Sequence, residues 1–278
     1  MRNCLVLGSG RSGTSLTCGI LANAGYFMGN DLLPGDDQNP KGYFESPEIN
    51  EINEQLLAEV VPTRPRGIVG NLFFRSRPPH LQHWLSAVSV NAQFHFSRKL
   101  RARIANLTRR EPFCFKDPRF SYTLSVWRPF LRDAVFVCVF RDPSTTAESI
   151  LSKCKRDPYL RNLSMTYEQA LKIWTRMYQH ILEIHYPAGG DWLFVNYDQF
   201  FDGAAVHRLE AILHASVNSR FLDLSLKRSK PRKLVSTEIG EMYDKLCRLA
   251  GHCDYAYAKW WGQRFGTSRM SPVYRRNP

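Results

Sequence analysis

A glycine-rich run in this chain carries residues suited to holding a phosphate group. Residues 8–15 read GSGRSGTS and follow a short apolar segment at residues 4–7. Where a buried strand turns into a helix, glycines let backbone N–H groups converge on a phosphate at the helix N-terminus. The predicted phosphate-binding residues of this loop are Gly10, Arg11, Ser12, Gly13, Thr14 and Ser15.

A second candidate phosphate site follows the most apolar segment of the chain, residues 134–140. That segment ends at Arg141, and Ser149 lies eight residues later, about two turns into a predicted helix. Walker A enzymes place a Mg²⁺-binding Asp at such a strand end and a Lys at the position that Thr14 occupies here. An arginine binds phosphate directly. The pattern therefore predicts a nucleotide that is not held through a metal ion.

These residues need a scaffold of strands and helices in alternation. Apolar runs predict buried strands at residues 4–7, 113–115, 134–140 and 192–195. Helical spacing predicts helices at about residues 13–23, 47–60, 144–153, 167–186, 199–213 and 236–249, with residues 62–79 irregular and residues 80–108 partly helical. This alternation predicts an α/β fold with a central parallel sheet flanked by helices. No linker or repeat divides the chain, so residues 1–278 are predicted to form a single domain.

Composition limits the class of protein and its partners. The chain has 278 residues, 44% of them hydrophobic, which excludes a disordered chain. Its 38 Lys and Arg against 25 Asp and Glu leave a net charge of +13, which indicates anionic partners. We expect no nucleic acid, because no nucleic-acid-binding motif accompanies the charge. The seven cysteines include no CxxC pair, so we expect a reduced, cytoplasmic protein. His80 and His83 have no accompanying ligand cluster, so we expect no metal. We also expect no membrane span.

Together, these motifs resemble those of the sulfotransferases, which use 3′-phosphoadenosine-5′-phosphosulfate (PAPS). The sequence GSGRSGTS resembles their 5′-phosphosulfate-binding loop, and Arg141 with Ser149 resembles the pair that holds the 3′-phosphate. The segments NPKGYFE at residues 39–45 and FKDPR at residues 115–119 resemble the branch that includes tyrosylprotein and many bacterial sulfotransferases. The resemblance covers about residues 3–200 and implies a P-loop-like, three-layer fold.

The resemblance also implies roles for individual residues. Glu45 stands where that branch places its general base, and Lys116 stands where a lysine faces the transferring sulfuryl group. Arg11 would act with them on the leaving phosphate. Because some branches use a histidine as the base, His95 remains an alternative to Glu45.

The remaining segments match no part of the family that we can name. Residues 62–110 and 215–278 are predicted to face the acceptor or to form a lid. The late Arg-Lys-Gly pattern of the family is not plainly present. Arg232 and Lys233 are the candidates for its contacts with the 3′-phosphate or the adenine.

The resulting functional prediction is a PAPS-dependent sulfotransferase with PAP (3′-phosphoadenosine 5′-phosphate) as its product. The acceptor would carry a hydroxyl, on a sugar, a phenol, a peptide tyrosine or another small molecule. Three alternatives stay open: a kinase-like phosphotransferase, a polyanion binder, and a pseudoenzyme that binds PAP or PAPS. The pseudoenzyme would keep Arg141 and Ser149 but lack a working base.

Overall fold

A four-stranded parallel sheet forms the centre of the protein. The computed structural model describes residues 1–37, 39–222 and 233–253. The strands are β1 (Asn3–Leu7), β2 (Cys114–Lys116), β3 (Ala134–Phe140) and β4 (Asp191–Asn196). Their order across the sheet is β2-β1-β3-β4, and every neighbouring pair is parallel.

The α-helices of the described residues lie between the strands and after the last strand. They are α1 (Thr14–Leu21), α2 (Pro47–Ala58), α3 (Ile68–Phe73), α4 (Arg98–Leu107), α5 (Phe120–Trp127), α6 (Pro143–Arg156), α7 (Tyr167–His180), α8 (Ala204–Leu213) and α9 (Thr237–Leu249). A π-helical turn at Ile181–His185 extends α7. Within the described ranges, every helix is too short or too polar to traverse a lipid bilayer.

Helices pack on both faces of the sheet. Because side chains alternate along a strand, Leu5 and Leu7 of β1 face a core shared with α2, α4, α5, α7 and α9. Cys4 and Val6 face the opposite core, which includes apolar residues of α1 and α8. The predicted α/β fold with a central parallel sheet between helical layers is therefore confirmed.

Two helices depart from the sequence prediction. Residues 62–79 were predicted to be irregular because of their prolines, and this was wrong for α3, which begins directly after Gly67. α5 was not predicted at all. Seven of its eight residues are buried, so it has no polar face and no helical periodicity for a sequence pattern to detect.

The strand order determines where a ligand can bind. β1 lies between β2 and β3, so the chain leaves β1 toward one side of the sheet and later returns on the other. Ligands of such sheets bind beyond the carboxyl ends of the strands, at the point where the direction reverses. The glycine-rich loop, Lys116 and Arg141 all lie at those carboxyl ends.

Candidate functional site

A pocket of about 700 Å³ lies at the carboxyl ends of the four strands. Tyr197, the residue after β4, contributes to its wall, as do residues of the segment between α1 and α2. Most of the predicted site residues line this pocket: Gly10, Arg11, Gly13, Thr14, Ser15, Glu45, Lys116, Arg141 and Ser149. Segments far apart in the sequence therefore meet in one cavity.

The glycine-rich loop is held in a conformation that requires its glycines. Gly8 has a φ of 132°, and a Cβ atom there would lie 2.1 Å from the carbonyl oxygen of Val139. Gly13 has a φ of 103° and directly precedes α1, where a Cβ would lie 2.6 Å from the ring of Tyr197. No side chain caps α1. Its first N–H groups lack partners within the helix and suit an anion at this end.

A buried tyrosine supports the loop from behind. The Tyr178 hydroxyl accepts a hydrogen bond from the Ser9 N–H (3.1 Å) and donates one to the Val139 carbonyl (2.8 Å). It also lies 3.1 Å from the hydroxyl of Ser12. Ser12 is fully buried. It does not line the pocket, whereas the other predicted loop residues do. The Ser12 side chain therefore contributes to the rigidity of the loop.

The two predicted phosphate motifs are joined directly. The Arg11 Nε donates a hydrogen bond to the Ser149 hydroxyl at 3.2 Å, across 138 residues of sequence. The Arg141 guanidinium lies 4.4 Å from the centre of the Tyr197 ring. Both arginines and Ser149 line the pocket, so they form one cationic wall. Such a wall suits a ligand with anionic groups.

Glu45 and Lys116, which both line the pocket, form an ion pair. The Lys116 Nζ lies 2.5 Å from Glu45 Oε1, and the Asn50 amide donates to Glu45 Oε2 at 2.9 Å. Lys116 also donates to the Ser15 hydroxyl at 3.3 Å. Burial alone would raise the pKa of Glu45, but the charges of Lys116 and Arg119 and the two hydrogen bonds outweigh it and lower that pKa. Glu45 is therefore an ionised carboxylate at neutral pH, with a cation between it and the loop.

Comparison with known proteins gives the family. The sequence profile of the Sulfotransferase family matches residues 4–215, which include the glycine-rich loop, Glu45, Lys116, Arg141 and Ser149. The chain belongs to the sulfotransferase family. It is therefore a transferase by family.

Other comparisons add little to this assignment. The structure of the sulfotransferase domain from the Synechococcus PCC 7002 olefin synthase is similar to that of the present chain. The alignment covers 99% of the present chain and 82% of the olefin synthase domain, at 15% sequence identity and a TM-score of 0.38. No curated protein matches the sequence significantly.

A buried ionic network lies behind the Glu45–Lys116 pair of this sulfotransferase. Arg119 donates to Asp117 at 2.9 Å and to Glu54 at 2.5 Å. Glu54 also accepts hydrogen bonds from the ring and the backbone N–H of His83. Burial alone would raise the pKa of Glu54, but the His83 hydrogen bond and the Arg119 charge lower it. For Asp117, burial outweighs its partners and raises the pKa.

Removing the central cation of this network should destabilise the protein strongly. Arg119→Met would leave two buried carboxylates without their partner, which costs about 3–5 kcal/mol for a buried pair. Urea denaturation followed by circular dichroism measures this change. Arg103→Met is the matched control because Arg103 pairs with Glu51 and Glu48 at the surface, where such pairs contribute at most about 1 kcal/mol. Equal losses in the two variants would contradict a structural role for the network.

Several pocket residues of the sulfotransferase were not predicted from the sequence. Lys153 on α6 lies one turn after Ser149, so the helical spacing could have identified it. Its Nζ contacts Asp36 (3.0 Å) and the Tyr43 hydroxyl (2.9 Å) in the segment before Glu45. Burial alone would lower the pKa of Lys153, but hydrogen bonds to Tyr43, Asp157 and Asp36 raise it. This cluster ties the segment before α2 to α6 and so shapes the pocket wall.

Parts of the predicted acceptor-facing segments also line the pocket. From residues 62–110 these are Leu81, Gln82 and Trp84, and from residues 215–278 Phe221. Trp84 lies against the loop, where a Cβ on Gly10 would be 2.5 Å from its ring. No sequence motif marks Trp84, because its contact with Gly10 arises only from tertiary packing.

Other predicted candidates do not line the pocket. His95, the alternative base, is exposed. Lys233 forms an ion pair with Glu148 at 2.6 Å and lies 5.0 Å from the centre of the Tyr167 ring. Arg232 falls outside the described residues. Among the residues that the structure describes, no group of three or more potential metal ligands occurs.

Proposed function

We propose that this sulfotransferase moves the sulfuryl group of PAPS to an acceptor hydroxyl, with Glu45 as the general base. The observation that carries the proposal is the position of Lys116. Its ammonium group contacts the Glu45 carboxylate at 2.5 Å and the Ser15 hydroxyl at 3.3 Å. Ser15 is the last residue of the glycine-rich loop and belongs to the first turn of α1. Lys116 would thus connect the base with the site of the leaving phosphate.

The residues present fit the anionic groups of PAPS. The loop backbone and the N-terminus of α1 suit the 5′-phosphosulfate, with Arg11 and Lys116 as cations beside them. Arg141 and Ser149 suit the 3′-phosphate. When bound, PAPS would supply a sulfuryl group activated as a mixed anhydride with phosphate. PAPS is the typical donor of the family, which supports this assignment.

The proposed step is an in-line displacement at sulfur. Glu45 would take the proton of the acceptor hydroxyl, whose oxygen forms the new S–O bond. The S–O bond to the 5′-phosphate breaks, and its electron pair stays on the phosphate oxygen. Lys116, Ser15 and Arg11 would stabilise that charge, since fixed donors aimed at developing charge are usually the largest catalytic contribution. The products are the sulfated acceptor, PAP and protonated Glu45.

Binding of PAP tests the donor assignment separately from turnover. PAP at about one hundred times its Kd should stabilise the fold by about 2.7 kcal/mol and raise the Tm by several degrees. Arg141→Ala should weaken PAP binding about 10- to 100-fold, because a hydrogen bond to a charged group contributes about 1.5–3 kcal/mol. Differential scanning fluorimetry and titration calorimetry measure both effects.

Two controls make this test specific. Arg176→Ala removes an arginine of α7 that does not line the pocket, and it should leave PAP binding unchanged. Adenosine 5′-monophosphate lacks the 3′-phosphate and should stabilise the wild type less than PAP does. Equal stabilisation by the two nucleotides would refute the 3′-phosphate site. Tighter binding of ATP with Mg²⁺ than of PAP would favour the kinase-like alternative.

The acceptor class needs a separate screen. Glu45, Asn50, Leu81 and Gln82 line the pocket and would face an acceptor beside the base. Radiolabelled donor incubated with sugars, phenols and tyrosine peptides would show which of these hydroxyl classes takes the label.

A further inference from the structure

Helix α3 presents a cluster of large apolar side chains to solvent. Ile68, Val69, Leu72 and Phe73 are 77%, 55%, 64% and 77% exposed, and we call these four residues the α3 face. At 3.6 residues per turn they lie on one side of the helix. Elsewhere in the described chain, exposed large apolar residues are scattered along the sequence. A contiguous exposed apolar cluster marks an interaction site more often than an isolated residue does.

Close contacts and hydrogen bonds hold α3 in an orientation that exposes the α3 face. Gly70 lies on the inner side of the helix, where a Cβ would be 1.7 Å from the carbonyl oxygen of Pro65. Arg64 is 7% exposed and donates to the carbonyl oxygens of Arg77 (3.0 Å), Arg75 (3.2 Å) and Asn162 (3.3 Å). The buried guanidinium thus fastens both ends of the α3 segment to the chain after α6. The four side chains therefore point outward from an anchored helix.

The chain segment that contains this helix carries charge of a single sign. Residues 60–110 contain no Asp or Glu. They contain ten basic residues: Arg64, Arg66, Arg75, Arg77, Arg98, Lys99, Arg101, Arg103, Arg109 and Arg110. Arg66 and Arg75 are exposed and flank α3 on its two sides. A partner for the α3 face must therefore accept apolar side chains and carry negative charge around them.

We infer that the α3 face docks on the surface of an anionic lipid bilayer. The interface of such a bilayer places the acyl boundary next to phosphate headgroups, which matches apolar side chains flanked by arginines. A second copy of the chain would oppose arginine to arginine across the contact, which disfavours association. The segment 254–278 is also a poor occupant, because it carries five basic residues and one acidic residue.

Sedimentation of the full-length protein with lipid vesicles tests this inference without any assay of activity. Vesicles of phosphatidylcholine with about 30% phosphatidylserine should bind the protein, and vesicles of phosphatidylcholine alone should not. Binding should be reversed by about 0.5 M NaCl, because salt screens exposed charges. Equal binding to both vesicles, or binding to neither, would overturn the inference.

Two double variants distinguish binding through the α3 face from binding through other exposed apolar residues. Leu72→Ser/Phe73→Ser should lower the bound fraction at least about tenfold, since apolar burial supplies much of interfacial binding. The Tm and the PAP-induced shift should stay unchanged, because neither residue lines the pocket. Ile184→Ser/Tyr186→Ser alters exposed apolar residues elsewhere and should bind like the wild type.

The same variants give the outcomes that contradict the inference. Unaltered vesicle binding by Leu72→Ser/Phe73→Ser would show that the α3 face is not the docking surface. A wild-type dimer that this variant converts to a monomer, without vesicle binding by either, would assign the face to self-association. A loss in Arg98→Ser/Lys99→Ser on α4, without any loss in Leu72→Ser/Phe73→Ser, would show that charge alone drives binding.

Discussion

Glu45→Gln should lower turnover about 10²- to 10⁴-fold, the usual contribution of a positioned general base. Glutamine keeps the size of the side chain but cannot take the proton of the acceptor hydroxyl. The effect should be on kcat, because Glu45 interacts with Lys116 and Asn50 rather than with the arginines proposed to hold the donor. PAP binding measured by calorimetry should therefore stay close to that of the wild type.

The same residue predicts the pH dependence of turnover. Its surroundings lower the pKa of Glu45, so the carboxylate stays ionised as the pH falls through the neutral range. Protonation of Glu45 should therefore not lower wild-type kcat between about pH 8 and about pH 6.

Glu48→Gln is the matched control for Glu45→Gln, since Glu48 lies on the first turn of α2, outside the pocket, and near Arg103. Undiminished turnover in Glu45→Gln would show that another group is the base.

Lys116→Met should lower kcat about 10²- to 10³-fold, as expected when one donor to the developing charge is removed. It should also change the pH profile. Burial raises the Glu45 pKa, and the Lys116 charge is the main influence that lowers it. Without the Lys116 ammonium group, the pKa of Glu45 therefore rises. The acid limb of the kcat profile should move to higher pH. A merely structural lysine would lower the amount of folded protein without moving this limb.

Stability measurements distinguish the structural contribution of the Glu45–Lys116 ion pair from its proposed catalytic role. Lys116→Met removes the ion-pair partner of the buried Glu45 carboxylate and should cost about 3–5 kcal/mol. Adding Glu45→Gln removes that charge, so the double variant should recover part of the loss while staying inactive. Lys172→Met, an exposed lysine of α7, should change neither stability nor turnover. An unchanged pH profile in Lys116→Met would contradict electrostatic coupling between Lys116 and Glu45.

The strands show how far local pattern predicts this fold. β3 has the predicted bounds because it is a continuous apolar run with no charge. β2 extends to Lys116, one residue past the prediction, because the lysine is 2% exposed and Glu45 compensates its charge. A lysine in a sequence usually indicates a solvent-exposed position. Lys116 can be buried only because Glu45 pairs with it. α5 was missed for a related reason, since a helix buried all round has no polar side.

The candidate site shows the same limit. The order of the motifs placed the loop, Lys116 and Arg141 at strand ends, and parallel strands bring such ends together. The structure then separated residues that the sequence treated alike. Ser12 turns inward to Tyr178, whereas Thr14 and Ser15 line the pocket. Lys233 pairs with Glu148 of α6 and does not line the pocket.

By itself, the sequence determined the alternation of strands and helices, the glycine-rich loop and the excess of positive charge. These follow from backbone propensity, turn chemistry and composition, which act over a few residues or over the whole chain. Only the tertiary structure decided which side chains meet. Arg11 reaches Ser149 across 138 residues, and Lys116 reaches Glu45 across 71. Such contacts depend on how helices pack against the sheet, and local sequence spacing does not encode that packing.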